Sequence, residues 1–334
     1  MGAQDQGHIF NTIIYMTEIR EGSHIQDPIE RRFVIKEQEV KEAMERVQEL
    51  TEIQYVPEFE DRVGFFPNIE DLPDAPLKAK FSYGKDAPNM SSVFGQDEAT
   101  GEKNVREFLE SQDFINYPNI IQVQGKYEGT DAQIEEVDFD TLKDRKKVVG
   151  NFVFTRDSQI ALIIKPADCP VAIIYCKDKE GNPLVGIDHG GADATNAGLT
   201  RQGLWYLKDQ LGIDLSEVKI AVFPGVSQKN YFISNEPERR GNGIVERNWG
   251  EFITPKETDD PSEKRYVDIL SAFEMQALQA GIKPENIQAY RVDTYEDAAA
   301  GKAYSRRYSN EHDGAHPGGQ VVAVQLSAEK QFKQ

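Results

Sequence analysis

The sequence is short of cysteine and has no long apolar run, and each absence excludes a class of protein. Its two cysteines, Cys169 and Cys176, lie seven residues apart across one predicted strand. Two thiols so placed cannot form a disulfide framework, so we expect both to be reduced and the protein to be cytoplasmic. No apolar run approaches the roughly 18 residues of a membrane helix, so we expect no membrane anchor.

Positive charge is also scarce. The chain has 38 Lys and Arg against 57 Asp and Glu, which gives a formal net charge of -19 and a pI near 4.8. An acidic chain repels phosphate backbones and anionic lipid, so neither nucleic acid nor a membrane surface is expected as a partner. A small anion such as phosphate is compatible with this charge, because a local pair of arginines can override it.

Short apolar runs alternate with amphipathic stretches along the 334 residues. This interleaving predicts an α/β fold, a mixed α+β sandwich with a single core domain. We place an N-terminal extension at 1–76, with one amphipathic helix from about Lys36 to Ile53. The core domain then covers 77–334, with a polar, Gly- and Pro-rich surface insertion near 235–265.

The most informative segment brings a cysteine and a histidine to strand ends. Apolar runs at Ile160–Ile164 and Val171–Tyr175 flank a tight turn that contains Cys169. A third run, Leu184–Ile187, is followed directly by Asp188, His189 and two glycines. Further along, a helix is predicted over Thr195–Leu211 with Gly212 as its C-cap, and upstream a strand over Val149–Thr155.

The residue types at these turns allow several roles. A thiolate at Cys169 could be a nucleophile or a zinc ligand, and a free cysteine is also a common small buried hydrophobe. His189 could be a metal ligand, a general base or a histidine in a surface turn.

Two later segments carry further candidates. Arg306 and Arg307 are adjacent, so they could clamp a phosphate or carboxylate or form a solvated basic spot. His312 and His316 have a spacing that suits a metal on a helix, but the Gly and Pro residues around them oppose a helix there.

In order and spacing, these segments resemble the YfiH-like family over about residues 78–327. The segments that carry the resemblance are Asn89-Met90-Ser91-Ser92, Gln122-Val123-Gln124-Gly125, Ala167-Asp168-Cys169, His189-Gly190-Gly191 and Tyr304-Ser305-Arg306-Arg307. Members of that family were formerly classed as multicopper polyphenol oxidases or laccases, and several are regarded as purine nucleoside phosphorylases with adenosine deaminase side activity. The resemblance therefore implies an enzyme that acts on adenosine- or inosine-type nucleosides and phosphate.

The resemblance also implies roles for individual residues. The family holds zinc with one cysteine and two histidines, which correspond here to Cys169, His189 and, in place of the first histidine, Gln124. Gln offers only a neutral carbonyl oxygen, so zinc binding is expected to be weakened and zinc-dependent deamination doubtful. The same resemblance implies catalytic roles for Cys169, His189 and Arg306, and substrate or phosphate binding by Asn89, Arg306 and Arg307.

Two alternatives to a phosphorylase remain open. The first is a hydrolase or deamidase-like enzyme in which Cys169 is the nucleophile and His189 the base. The second is a non-catalytic relative that keeps the pocket as a binding module. The second is favoured by the exchange of the family's Trp-Arg pair for Ala192-Asp193, which replaces a cation with an anion.

Overall fold

The structure is a computed structural model that describes residues 41–47, 49, 63–65, 77–84, 87–91, 97–114, 120–124, 134–142, 147–233, 252–254, 264–312, 314 and 318–327. The strands are β1 (Val63–Phe65), β2 (Leu77–Ser82), β3 (Ile120–Gln124), β4 (Ile134–Glu136), β5 (Lys147–Val149), β6 (Phe152–Thr155), β7 (Ala161–Ile164), β8 (Val171–Lys177), β9 (Pro183–His189), β10 (Lys219–Phe223), β11 (Phe232–Ile233), β12 (Ile253–Thr254), β13 (Arg265–Val267), β14 (Ile287–Ala289) and β15 (Val322–Leu326). The helices are α1 (Glu98–Ser111), α2 (Phe139–Leu142), α3 (Ala192–Asn196), α4 (Leu199–Leu211), α5 (Ile269–Ala280), α6 (Thr294–Ala299) and α7 (Arg306–Glu311).

Two six-stranded sheets form the centre of the molecule. The first has the order β1-β2-β15-β7-β3-β5 and the second β14-β10-β8-β9-β6-β4, and a small sheet, β11-β13-β12, lies beside them. Both large sheets mix parallel and antiparallel pairs. The mixed α/β fold predicted from the sequence is therefore confirmed.

The sheets pack face to face, with helices on the outside. One set of alternating side chains, which includes Phe81, Leu162, Ile173 and Phe223, forms the core between the two sheets. The outer face of the second sheet packs against α4 and α5, and the outer face of the first packs against α1. Because both sheets are covered on both faces, their central strands are continuous apolar runs.

The N-terminal extension contributes a helical segment at 41–47. Met44 and Val47 are buried in the same cluster as the apolar side chains of α4 and α5, so this segment packs on the core domain. The predicted helix is confirmed over these residues, and its remaining parts lie outside those described. Most of the insertion predicted near 235–265 also lies outside them, although β12 and the start of β13 fall within it.

Two predicted elements are each divided in the structure. The helix predicted over Thr195–Leu211 is interrupted at Gly198, which has a left-handed φ of +74° and separates α3 from α4. Its predicted end is correct, because Gly212 is left-handed and donates to the Lys208 carbonyl. The strand predicted over Val149–Thr155 breaks after β5, and the chain crosses from the first sheet to the second before β6 begins.

The described helices are short. The longest is α1, with 14 residues, and its exposed face carries charged side chains. Among the described residues, no helix has the length and apolar character needed to cross a membrane.

Candidate functional site

Asp168 fixes the turn that presents Cys169. One carboxylate oxygen accepts from the Thr294 hydroxyl at 2.9 Å, and the other accepts from the Arg307 backbone N–H at 2.8 Å. The nearby Ser305 hydroxyl acts to lower the pKa of this carboxyl, against the larger effect of burial, which raises it. The turn between β7 and β8 is therefore tied to the starts of α6 and α7, which are far from it in sequence.

The backbone of the same turn is held by the loop after β10. The Val226 N–H donates to the Asp168 carbonyl at 2.9 Å. A Cβ atom on Gly225 would lie 3.1 Å from that carbonyl and 3.2 Å from the Pro170 ring. Only glycine allows so close an approach here without displacement of the turn.

The strand register brings His189 opposite the start of β8. His189 pairs with Val171, two residues after Cys169. The next residue, Gly190, donates its N–H to the Pro170 carbonyl at 2.8 Å. The predicted approach of the thiol-bearing and imidazole-bearing strand ends is therefore present in the structure.

The His189 ring is buried and neutral. Burial lowers its pKa to about 4, so the ring carries no charge at pH 7. Its Nδ1 lies 3.3 Å from the Asn151 Oδ1, and this contact is a hydrogen bond in the tautomer that carries the proton on Nδ1. A Cβ on Gly191 would lie 2.8 Å from the ring, so glycine is required beside it.

Gln124 lies at the same corner of the sandwich. It ends β3, and its carbonyl accepts from the Gly150 N–H at 3.0 Å. The adjacent Asn151 carbonyl accepts from the His189 N–H at 2.7 Å. The backbones of Gln124 and His189 are thus joined through a two-residue link, and the Gln124 residue is exposed.

Cys169 is a partly buried thiol and not a thiolate. Burial, followed by the negative charge of Asp168, raises its pKa to about 12. The positive charge of Arg306 acts in the opposite direction, and Asp193 adds to the increase. The thiol therefore keeps its proton at pH 7, while one cation and two anions act on it.

The two arginines have different environments. The Arg307 guanidinium donates to the Phe232 carbonyl at 2.8 Å and lies 4.3 Å above the Phe232 ring and 5.0 Å from the Tyr231 ring. These contacts hold it as a structural cation. Arg306 is exposed, and its charge acts on Cys169, so it is the arginine presented to solvent near the thiol.

Asn89 reaches the site indirectly. Its side-chain oxygen accepts from the Ser91 N–H at 2.8 Å and from the Gly319 N–H at 3.1 Å. The next residue, Gln320, donates its N–H to the Pro166 carbonyl at 2.9 Å. Asn89 therefore braces the chain that leads into the turn of Cys169, which adds a positioning role to its predicted binding role.

Sequence reasoning assigned no role to two residues near the thiol. Asp193 lies in the first turn of α3 and is exposed, and partial desolvation of its carboxyl raises its pKa. Burial also raises the pKa of Tyr231, and the negative charges of Asp193 and Asp168 raise it further. The charge reversal at Asp193 was a visible signal in the sequence, whereas nothing in the sequence marked Tyr231.

The predicted histidine pair is only half described. His312 ends α7 and stacks on Tyr308 at 4.1 Å between ring centroids, with its Nδ1 2.9 Å from the Tyr308 carbonyl oxygen. His316 lies outside the described residues.

Comparison with known proteins places the chain in a family. The model of the family described as multi-copper polyphenol oxidoreductase laccase matches residues 82–325, which is more than half of the chain. The chain belongs to this family. No curated protein matches it in sequence.

Solved structures support the same fold for this family member. YfiH of Bacillus licheniformis matches with a TM-score of 0.60 at 14% identity, covering 76% of this chain and 98% of its own. YlmD of Geobacillus stearothermophilus matches with a TM-score of 0.59 at 18% identity, covering 78% and 94%. At such identities the likeness shows the fold alone.

The residues of this site do not fit a metal centre, although the family's description names copper and the resemblance implies zinc. Cys169 and His189 offer one sulfur and one imidazole ligand, and Gln124 supplies only an amide. Within the described ranges, no group of three or more His, Cys, Asp or Glu side chains could hold a metal ion. The third strong ligand that zinc or copper needs is therefore missing from this set.

Proposed function

We propose that this protein is a purine nucleoside phosphorylase-like enzyme that uses phosphate to cleave adenosine- or inosine-type nucleosides. Phosphorolysis needs an anion held close to the sugar and a proton donor for the departing base. It needs neither a thiolate nor a metal. Membership of a family described as an oxidoreductase supports an enzyme-like role.

The observation that carries the proposal is the position of Arg306. This exposed guanidinium acts electrostatically on the Cys169 thiol, in a protein whose net charge is -19. An arginine at this position can attract and orient a phosphate that the rest of the surface repels. The next residue, Arg307, is fixed in position, because its backbone N–H donates to the Asp168 carboxylate and its side chain donates to the Phe232 carbonyl.

The protonation states at the site disfavour a hydrolase based on Cys169 and His189. Such an enzyme needs a thiolate stabilised by an imidazolium. The Cys169 pKa is raised to about 12 and the His189 pKa lowered to about 4, so both groups are neutral at pH 7. Neutral groups suit a pocket that accepts an uncharged sugar, and the His189 imidazole can accept a hydrogen bond from a sugar hydroxyl.

The test is the release of hypoxanthine from inosine by the full-length protein, with and without phosphate. We expect release to require phosphate and to yield ribose 1-phosphate in equal amount. Arg306→Gln should raise the KM for phosphate by about tenfold or more, because a charge-assisted contact is lost, with a much smaller effect on the KM for inosine.

The matched control is Lys103→Gln, which removes an exposed cation from α1 on the outer face of the other sheet. It should leave both KM values unchanged. Release of hypoxanthine without phosphate would instead indicate a hydrolase. A wild-type protein that binds inosine but never cleaves it would indicate a binding module.

A further inference from the structure

Two cations lie against one aromatic ring in the small sheet. The Lys264 ammonium is 3.9 Å from the centroid of the Phe232 ring, and the Arg307 guanidinium carbon is 4.3 Å from the same centroid. Because both distances are measured to one centroid, the two cations are no more than about 8 Å apart. The π face of a phenyl ring attracts cations, so the ring holds these two like charges close together. We call Lys264 and Arg307 the cation pair.

The cation pair is not neutralised by carboxylates of the described residues. Elsewhere on the surface an exposed lysine commonly contacts an acid, as Lys229 contacts Glu296 at 2.7 Å. In the part of the chain that the structure describes, neither side chain of the cation pair forms such an ion pair. The Asp168 carboxylate, on which the charge of Arg307 acts, accepts from a backbone N–H and a hydroxyl instead. In a protein with a net charge of -19, two close cations without acidic partners attract an anion.

Both cations have donors available for a ligand. A guanidinium carries five N–H donors and an ammonium three. Among the described residues, the Arg307 side chain donates to one acceptor, the Phe232 carbonyl at 2.8 Å, and Lys264 contacts only the ring. Lys264 is also exposed. A phosphate monoester has three terminal oxygens, so it can accept charge-assisted hydrogen bonds from both side chains at once.

Arg307 also connects the cation pair to the turn of Cys169. Its backbone N–H donates at 2.8 Å to the carboxylate of Asp168, the residue directly before Cys169. Its guanidinium, at the other end of the same residue, donates to the Phe232 carbonyl. The length of one arginine side chain therefore separates the turn from the cation pair. This length is close to the span from the anomeric carbon of a ribose to a phosphate on its 5′ oxygen.

We infer that the cation pair binds a 5′-phosphate on the substrate, so that the preferred substrates are nucleoside 5′-monophosphates. This inference rests on the proposed phosphorylase function and names its substrate class. An oxygen of hydrogen phosphate forms a bond to the anomeric carbon as the C1′–N9 bond breaks. The base leaves with the bonding electron pair and takes up the proton that the hydrogen phosphate gives up. From inosine 5′-monophosphate the products are hypoxanthine and ribose 1,5-bisphosphate, and the 5′-phosphate only binds and orients the sugar.

The inference is tested by comparing inosine 5′-monophosphate with inosine at a saturating phosphate concentration. For the full-length wild-type protein, kcat/KM should be about tenfold or more higher for the monophosphate. Lys264→Gln should lower this preference by about tenfold, because a charge-assisted contact with the 5′-phosphate is lost, and Lys264→Arg should retain most of it. Lys103→Gln, which removes an exposed cation from α1, is the matched control and should leave the preference unchanged.

A second measurement does not depend on turnover. By calorimetry without inorganic phosphate, the wild-type protein should bind inosine 5′-monophosphate about tenfold more tightly than inosine, and Lys264→Gln should remove most of the difference.

The outcomes separate this inference from the proposed function. If inosine is cleaved and the monophosphate is not preferred, the inference is wrong and the phosphorylase proposal stands. If Lys264→Gln raises the KM for inorganic phosphate and leaves the preference unchanged, the cation pair binds the attacking phosphate and the inference is again wrong. If the monophosphate binds more tightly through Lys264 but neither compound is cleaved, the phosphorylase proposal fails and the 5′-phosphate site stands. Equal binding of both compounds without cleavage would overturn both ideas.

Discussion

At the scale of single residues, burial shifts the pKa values of the site residues more than the neighbouring charges do. His189 pairs with Val171, two residues after Cys169, yet burial moves the pKa values of Cys169 and His189 in directions that leave both neutral. A sequence motif that contains both residues is compatible with a reactive pair. The folded environment of this pair produces a thiol and a neutral imidazole instead.

Alkylation of Cys169 measures this directly. A pKa of about 12, against a reference of 9.0, lowers the thiolate fraction near neutral pH by about 1000-fold. We expect iodoacetamide at pH 7.5 to label Cys169 about that much more slowly than a free thiol, as followed by mass spectrometry of its peptide. Cys176, which is buried with a similarly raised pKa, serves as the internal control. Rapid and selective labelling of Cys169 in the folded protein would restore the hydrolase hypothesis.

At the scale of elements, close contacts between helices and strands fix the positions of the site residues. Gly203 in α4 packs against Phe152 in β6, and a Cβ on that glycine would lie 2.2 Å from the Phe152 ring. Phe152 directly follows Asn151, which contacts the His189 ring. The distance between α4 and β6 therefore determines where Asn151 lies.

Gly203→Ala is expected to destabilise the protein, although alanine favours a helix by about 1 kcal/mol relative to glycine. The added methyl group has no space beside the buried Phe152 ring, and overpacking of this kind costs about 1–3 kcal/mol or more. Urea denaturation gives the free energy of unfolding. Phe152→Leu combined with Gly203→Ala should recover part of the loss, and a single variant as stable as the wild type would contradict the described packing.

At the scale of the whole molecule, the described part of the sandwich encloses Asp188, a carboxyl group with no hydrogen-bond partner and no paired cation. Asp188 is fully buried at the end of β9, and burial raises its pKa to about 7, an effect that the Thr200 hydroxyl opposes. Because this value is above that of the unfolded chain, the protonated form stabilises the fold. The stabilisation of the fold by protonated Asp188 is fully present below pH 4 and is lost as the pH rises through about 7.

Asp188→Asn should therefore stabilise the protein at pH 8, on the order of 4 kcal/mol, and have little effect at pH 4. Thermal or urea unfolding across this range gives the pH dependence. Glu274, whose pKa is raised to about 7 chiefly by burial, should preserve part of that dependence in the variant. Asp209→Asn on the exposed face of α4 is the control, and equal effects of the two substitutions would show that burial of Asp188 is not the cause.

The sequence predicted the fold better than it predicted the site, and the difference has a physical cause. Strands such as β8 and β10 are buried on both faces, so they are visible as uninterrupted apolar runs. The turns of Cys169 and His189 follow such runs and were predicted with them. Gly198 was missed as a helix break, because an isolated glycine is often tolerated within a helix.

The surroundings of the thiol depend on contacts between distant parts of the chain. Asp168 meets Thr294 and the backbone of Arg307, and Cys169 lies within electrostatic reach of Tyr231 and Asp193. No local periodicity encodes these meetings. The role of Asp168 as an anchor and the presence of Tyr231 near the site therefore required the folded structure.

The crossing between the two sheets at Gly150 and Asn151 has a consequence for how such a protein can diversify. These two residues join β5, which pairs with the strand that holds Gln124, to β6, which pairs with the strand that holds His189. An insertion here would separate the two sides of the pocket, whereas a substitution leaves their spacing unchanged. Relatives of this chain can therefore acquire new chemistry at this corner by substitution of side chains, as at Gln124 and Asp193. Insertions or deletions between the two strands would instead disturb the spacing of the site.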